Sequence, residues 1–293
     1  NHHYDTLGFA GVLLFIRRCR NRLCLAIAVE FIAETLMELV DTAVSGHILG
    51  MPGLSALNVV GPITSFTIFT ENIFALGTAF VYASYLGAYR KEKADETFGM
   101  GFVCSVAIGI LTSLAVFFIT PPYLNYMGVS PELKKLVMDF LFFLYPQLAL
   151  STVYQFLCQM VITDGGEILG TVSGIVETAL NLVLSIILGL RMGIMGIGLG
   201  TLVSTLAAIS IVSLHFTGKR SSLHFRISSD MTILKKVMFF GFNEGSDTFL
   251  YPVLSPILTK FVLLRFGEFY LPVLTIIYSI LEITGIFEII EEG

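Results

Sequence analysis

The chain has 293 residues, 55% of them hydrophobic and 13% charged, with a mean hydropathy of +0.84, 25 phenylalanines, no tryptophan and a net charge of −5. Soluble domains carry about 25% charged residues, so this composition excludes a water-soluble globule and predicts an all-α protein that crosses a membrane many times. It shows no basic, aromatic-interleaved surface for nucleic acid, and no paired nucleophile and base, G-x-S-x-G or H-E-x-x-H that would suggest an enzyme.

Residues 1–23 read as an N-terminal cytoplasmic segment. Their apolar run, Leu7 to Ile16, is followed by arginines, whereas a cleaved secretory signal has its charges first. A spanning helix needs about 20 apolar residues, and eight stretches qualify: 24–48, 54–86, 98–120, 135–161, 168–190, 194–216, 237–264 and 270–290. Gly and Pro punctuate their short connections. Cys19, Cys24, Cys104 and Cys158 are scattered without metal spacing and read as small hydrophobes.

The first span contains "EFIAETLMELVDTAVSG" (Glu30 to Gly46). At about 100° per residue, Glu30, Glu34, Glu38 and Asp41 fall within one quarter of the helix surface. A single Asp at the centre of a spanning helix costs about 2.5–3.5 kcal/mol, so the stripe must face the bundle interior or water. Glu30 reads as solvated at the mouth. Asp41 lies about two turns from the external end and is followed by small residues, which suits a proton or cation relay, with Glu34 and Glu38 as further members.

The second span is long and predicted to bend near Gly61-Pro62 and Gly77, with Glu71 and Asn72 as further intramembrane candidates. In span four Gln147, Ser151, Gln155 and Gln159 recur every four residues beside Tyr145 and Tyr154, an amide and aromatic wall that suits bulky cations, or alternatively helix-to-helix polar contacts. In span five Glu177, Asn181 and Ser185 share a face, from which Asn181 could meet Asp41 across the bundle. "GIMGIGLGT" (Gly193 to Thr201) has no strand before it and reads as close helix packing, not phosphate binding. Span seven opens with Glu244, Asp247, Tyr251 and Ser255 on one face, with Pro252 and Pro256 as kinks. Glu282 and Glu288 complete the intramembrane acids.

With the N-terminus inside, twelve Lys and Arg side chains face the cytoplasm and four the exterior, the bias the positive-inside rule requires. A shift of 217 superposes Glu30 on Asp247, Gly50 on Gly267, Leu54 on Leu271, Leu57 on Leu274 and Glu71 on Glu288. That pattern predicts a six-helix lobe (24–217), a cytoplasmic linker (218–236) and the start of a second, parallel lobe (237–293).

"VDTAVSGHILGMPGLSALNVVGPI" (Val40 to Ile63), "YLGAYRKEKADETFG" (Tyr85 to Gly99) and "LNLVLSIILGLRMGIMGIGLGTLVST" (Leu180 to Thr205) together resemble the MATE (multidrug and toxic compound extrusion) transporters. The resemblance implies two six-helix lobes with alternating access, exchanging H+ or Na+ for small organic cations in the plasma membrane without a cofactor. It carries Asp41 over as coupling acid and Asn181 as its partner. The polar faces of spans four and seven put the substrate cavity at Gln147, Tyr154, Gln155, Gln159, Glu244, Asp247 and Tyr251. Ser185 stands where the family usually has a second acid, for which Glu38 or Glu177 could substitute, and Ala26-Ile27-Ala28 replaces a usual proline. Missing helices or a partner subunit would be needed for activity. A non-transporting truncated fragment or scaffold and a lipid flippase of the same superfamily stand as alternatives.

Overall fold

The computed structural model describes residue 32 and residues 35–218, 221–245 and 249–292, with side chains at all of these except 244, 245, 250, 251 and 282–292. Glu30, Glu34 and Asp247 lie outside the described residues, as do the side chains of Glu244, Tyr251, Glu282 and Glu288. Everything described is helix, turn or coil, with no strand among the described residues.

Helix α1 covers 35–49. It is followed by α2 (Met51–Gly87), α3 (Lys91–Met127), α4 (Pro131–Thr163), α5 (Glu167–Met192), α6 (Ile194–Val212), α7 (Met231–Gly245), α8 (Leu250–Arg265) and α9 (Leu271–Glu292). Among the described residues, α2 to α5 and Ile194–Thr217 are each long and apolar enough to cross a membrane.

Local chemistry sets the boundaries. Single glycines join α1 to α2 and α5 to α6, and Gly50 and Gly193 share φ near 65° and ψ near −145° (Gly50 66°, −146°; Gly193 65°, −143°). A side chain resists that backbone region, which lets glycine turn the chain in one residue. Gly128 closes α3 in the left-handed conformation, and Ser130 caps α4 by accepting the Leu133 amide at 3.2 Å. Asp230 caps α7 by accepting the Thr232 amide at 2.9 Å. A hydrogen bond from Lys93 holds the Asp230 carboxyl below its usual range.

Two helices, α7 and α8, are described within the expected seventh span, 237–264, and residues 246–248 between them lie outside the described residues. Asn243 and Gly245, at the end of α7, are poor helix formers. Pro252 lies in the first turn of α8, where a helix tolerates a missing N–H. Pro62, by contrast, sits inside an unbroken α2, where Thr64 and Ser65 hydroxyls donate to the Gly61 carbonyl at 2.9 and 2.8 Å.

Helix α2 runs through the middle of the molecule and touches α3, α4, α7, α8 and α9, while α5 and α6 pack most extensively on each other. Small residues permit the closest approaches: a Cβ at Gly196 would lie 2.1 Å from the Leu188 carbonyl oxygen, and one at Gly241 1.9 Å from that of Ile73. The usual partition is inverted. Thr78, Ser105, Ser173, Asn181, Ser185, Ser204 and Thr205 are fully buried, whereas Leu111, Phe118, Ile119, Ile168, Leu190 and Leu264 face outward. Apolar side chains outside and hydroxyls inside is the arrangement a bilayer favours.

The two ends of the bundle are closed differently. At one end residues 221–230 lie across the start of α3, where Lys93 reaches Glu96 and Asp230 at 2.8 and 3.0 Å. Buried Asp164 there accepts the Ser222 amide at 2.9 Å, the Ser222 hydroxyl, and His215 Nε2 at 2.8 Å. At the other end Glu268 accepts the Ser130 hydroxyl at 2.9 Å and the Ser130 amide at 3.3 Å. Lys260 Nζ donates to the Tyr126 and Met127 carbonyls, the latter at 3.0 Å.

Candidate functional site

A cavity of about 190 Å³ opens between α1, α2, α4, α6 and α9, lined among others by Glu38, Asp41, Asn58, Glu71, Gln147 and Tyr278. Its α2 wall is one helical face, Leu57, Gly61, Thr64, Ile68 and Glu71, at the three- and four-residue steps of a stripe. Gly46 meets Leu54 and Gly53 meets Ser45, so α1 and α2 run antiparallel with Asp41 level with Asn58.

Asp41 is partly buried. The Ser185 hydroxyl donates to Oδ1 at 3.3 Å and the Thr201 hydroxyl to Oδ2 at 3.2 Å. Thr201 in turn accepts Asn181 Nδ2 at 3.0 Å. Asn181 therefore reaches Asp41 through Thr201. Its own Oδ1, on a side chain with 0% exposure, has no hydrogen-bond partner among the described residues. Asp41 and Thr201 line the cavity, with the Ser185 hydroxyl and the spare Asn181 amide oxygen buried behind them, a set that can hold a proton or a small, hard cation.

Two more acids are buried nearby. Glu71 accepts the hydroxyls of Ser151 at 2.5 Å and Thr152 at 3.2 Å, both on Oε1. Glu177 accepts Thr205 Oγ1 at 2.7 Å, and Thr205 accepts Gln147 Nε2 at 3.4 Å, so a polar line runs from the cavity through α6 to α5.

A family model described as MatE matches residues 26–187, more than half of the sequence. The chain belongs to the MATE family. The Multidrug export protein MepA of Staphylococcus haemolyticus is 22% identical over 203 residues, a match that covers 69% of this chain and 45% of that protein. Among solved structures, an inward-facing multidrug resistance MATE family transporter of the MOP superfamily superposes with a TM-score of 0.78 at 20% identity, over 85% of this chain and 60% of that one. The MATE multidrug transporter DinF-BH gives 0.80 at 20% identity over 90% and 60%. A MOP superfamily transporter from Pyrococcus furiosus gives 0.75 at 18% identity over 92% and 64%. These likenesses show the MATE fold. The chain spans 45% of the first relative and 60–64% of these three structures.

Within this MATE chain the structure brings Asp41, Asn181 and Ser185 together, puts Glu38 on the cavity, and sets Glu177 one layer behind it. It divides the expected α4 wall. Gln147 lines the cavity, but the row continues to Leu148 and Ser151 and stops there. Tyr154, Gln155 and Gln159 do not line it. Tyr154 is buried with its hydroxyl 3.2 Å from Ser173 Oγ, and Gln155 and Gln159 are only partly buried. The reason is packing: below Ser151 the bundle is filled by Tyr82, Phe98, Phe156 and Met160, so an i+4 series that begins on the cavity ends against a core. Asn58 and Thr201 escaped the reading of the sequence. A lone Asn four residues before a proline, and a Thr among glycines, carry a signal only once their neighbours are known.

Proposed function

We propose that this MATE chain belongs to a secondary active exporter that moves small organic cations and drugs outward in exchange for H+ or Na+ by alternating access. The observation that carries this reading is Asp41 on the cavity, between the Ser185 and Thr201 hydroxyls and beside the unpartnered Asn181 oxygen. Protonating the carboxylate or filling it with a coupling ion removes the charge that attracts a cationic substrate, so the two compete for one site. No organic cofactor is required for such an exchange, and nucleic acid has no part in it.

The twelve-to-four bias of basic residues supports a cytoplasmic N-terminus in the plasma membrane. Residues 24–217 would form the first lobe, 218–236 the linker and 237–293 the opening of a second lobe that further helices or a partner subunit complete. Gly267, like Gly50, has positive φ, which supports the repeat. The lining acids disfavour anionic lipid-linked sugars, so the flippase reading is the weaker one.

In vesicles carrying the protein, Asp41→Asn should abolish ion-driven efflux of ethidium, at least about tenfold below wild type, with membrane insertion unchanged. Full retained efflux would sink the assignment. Imposing a pH gradient and a Na+ gradient in turn identifies the coupling ion.

A further inference from the structure

Helix α7 lies antiparallel on α2 at short range. A Cβ at Gly241 would lie 1.9 Å from the Ile73 carbonyl oxygen, and one at Gly77 2.2 Å from that of Val237. At the end of this seam nearest residues 221–230, Lys236 Nζ donates to the Tyr85 hydroxyl at 3.0 Å and stands 5.1 Å over the Tyr85 ring. We propose that this end of the α2–α7 seam binds an anionic phospholipid, with its phosphate on Lys236 and Tyr85 and an acyl chain along the phenylalanines beside them.

The basic groups at this end of the bundle are not alike. Lys93 is paired with Glu96 and Asp230, and Arg226 with Glu92 and Glu96. Among the described residues no carboxylate is recorded within ion-pair reach of exposed Lys235 or Lys236. The Lys236 ammonium uses one of its three N–H donors on Tyr85. Because the Tyr85 oxygen accepts that bond, its own proton is left to donate, and no other partner is recorded for it among the described residues. Two N–H groups and one O–H therefore stand together at the edge of the bundle, a set that complements the charged oxygens of a phosphate. The Arg90 amide donates to the Tyr85 carbonyl at 2.9 Å, which brings a further exposed cation to the same end of α2.

The surface next to these donors commits the site to a lipid. Lys236, Phe239 and Phe240 are spaced i, i+3 and i+4, so they share a face of α7. Phe239 is 64% exposed and Phe80, on α2, 47%. Their rings join through Phe240, with centroids 4.2 Å apart for Phe80 and Phe240 and 5.3 Å for Phe239 and Phe240. A lysine and a tyrosine at the helix end, followed by bare aromatic rings toward the middle of the span, repeat the order of a phospholipid from charged headgroup to apolar chain. A soluble phosphate would meet only the first part of that order. A lipid seated here touches both helices, so it braces α7 on α2.

The test is equilibrium binding to the full chain in detergent, counted by native mass spectrometry, with dioleoyl-phosphatidylglycerol, dioleoyl-phosphatidylcholine and chain-free glycerophosphoglycerol as probes. Wild type should bind phosphatidylglycerol about fivefold tighter than phosphatidylcholine, whose choline offsets the phosphate charge. Lys236→Gln should erase that preference and Lys236→Arg restore it. Tyr85→Phe, which keeps the ring and removes the hydroxyl, should weaken it, and carries the test if Lys236→Gln fails to fold. Lys235→Gln removes an equal charge one residue away and should leave the preference unchanged. An equal loss in Lys235→Gln would mean diffuse attraction to a basic surface and overturns the site, as does a wild type that does not distinguish the two lipids. Glycerophosphoglycerol bound as tightly as phosphatidylglycerol overturns the lipid assignment in favour of a soluble phosphate.

Discussion

Asp41 shows how one residue's role depends on its neighbours' hydroxyls. That Glu38 and Asp41 share a face of α1 follows from helical periodicity alone, but Ser185 and Thr201 arrive from α5 and α6 to hold the Asp41 carboxylate. Ser185, where an acid was expected by resemblance, donates to Asp41 instead of competing with it. The glycines are a second residue-scale matter. A Cβ at Gly241 would lie 1.9 Å from the Ile73 carbonyl oxygen, whereas one at Gly87 meets nothing within 4 Å. Gly241→Ala should therefore destabilise the fold by about 1–3 kcal/mol through overpacking, read as a lowered melting temperature in detergent, while Gly87→Ala leaves it unchanged. Equal melting temperatures would mean that α7 does not sit against α2 as closely as the structure has it.

Among the elements, the segment 221–230 is held most specifically. Asp164 accepts from its Ser222 backbone and side chain, with Tyr82 3.4 Å from the same carboxylate, and the chain passes over Gly99, where a Cβ would meet the Arg226 carbonyl oxygen at 2.1 Å. Asp164→Ala leaves His215 and Ser222 without their acceptor. It should cost about 3 kcal/mol, the lower range for breaking a buried pair, and expose 221–230 to limited proteolysis; an unchanged cleavage pattern would contradict that anchoring role. The Asp230 cap carries a pH dependence of definite sign. Its carboxyl is held low by Lys93, so its contribution is present above the ordinary carboxylate range and is lost as pH falls through the depressed value. Hydrogen exchange in the first turn of α7 should accelerate on that acid limb and not between pH 6 and 8. At this scale helix positions were legible in the composition, since the hydrophobic runs lie inside the observed helices for α2 to α5.

At the scale of the molecule, α8 and the turn after it grip the α3–α4 connection with charges matched to the helix ends. Lys260 lies on the C-terminal carbonyls of α3, and Glu268 on the N-terminal amide of α4. Each such contact contributes about 0.3–1 kcal/mol. The double substitution Lys260→Met, Glu268→Gln should speed hydrogen exchange over 126–133 while leaving the Asp164 end protected, and equal protection at both ends would refute the clamp. The sequence by itself determined membrane residence, the all-helical class and the face that Glu38 and Asp41 share, because these follow from composition and from the 3.6-residue period, which are local properties. Only the tertiary structure decided which polar residues meet. Gln147 and Gln155 look equivalent on one helix face, yet one lines a cavity and the other lies beside a filled core, since that difference is set by side chains from α2, α3 and α6. For the same reason Glu71, Asn58 and Thr201 gained their places only when separate helices brought them to one cavity.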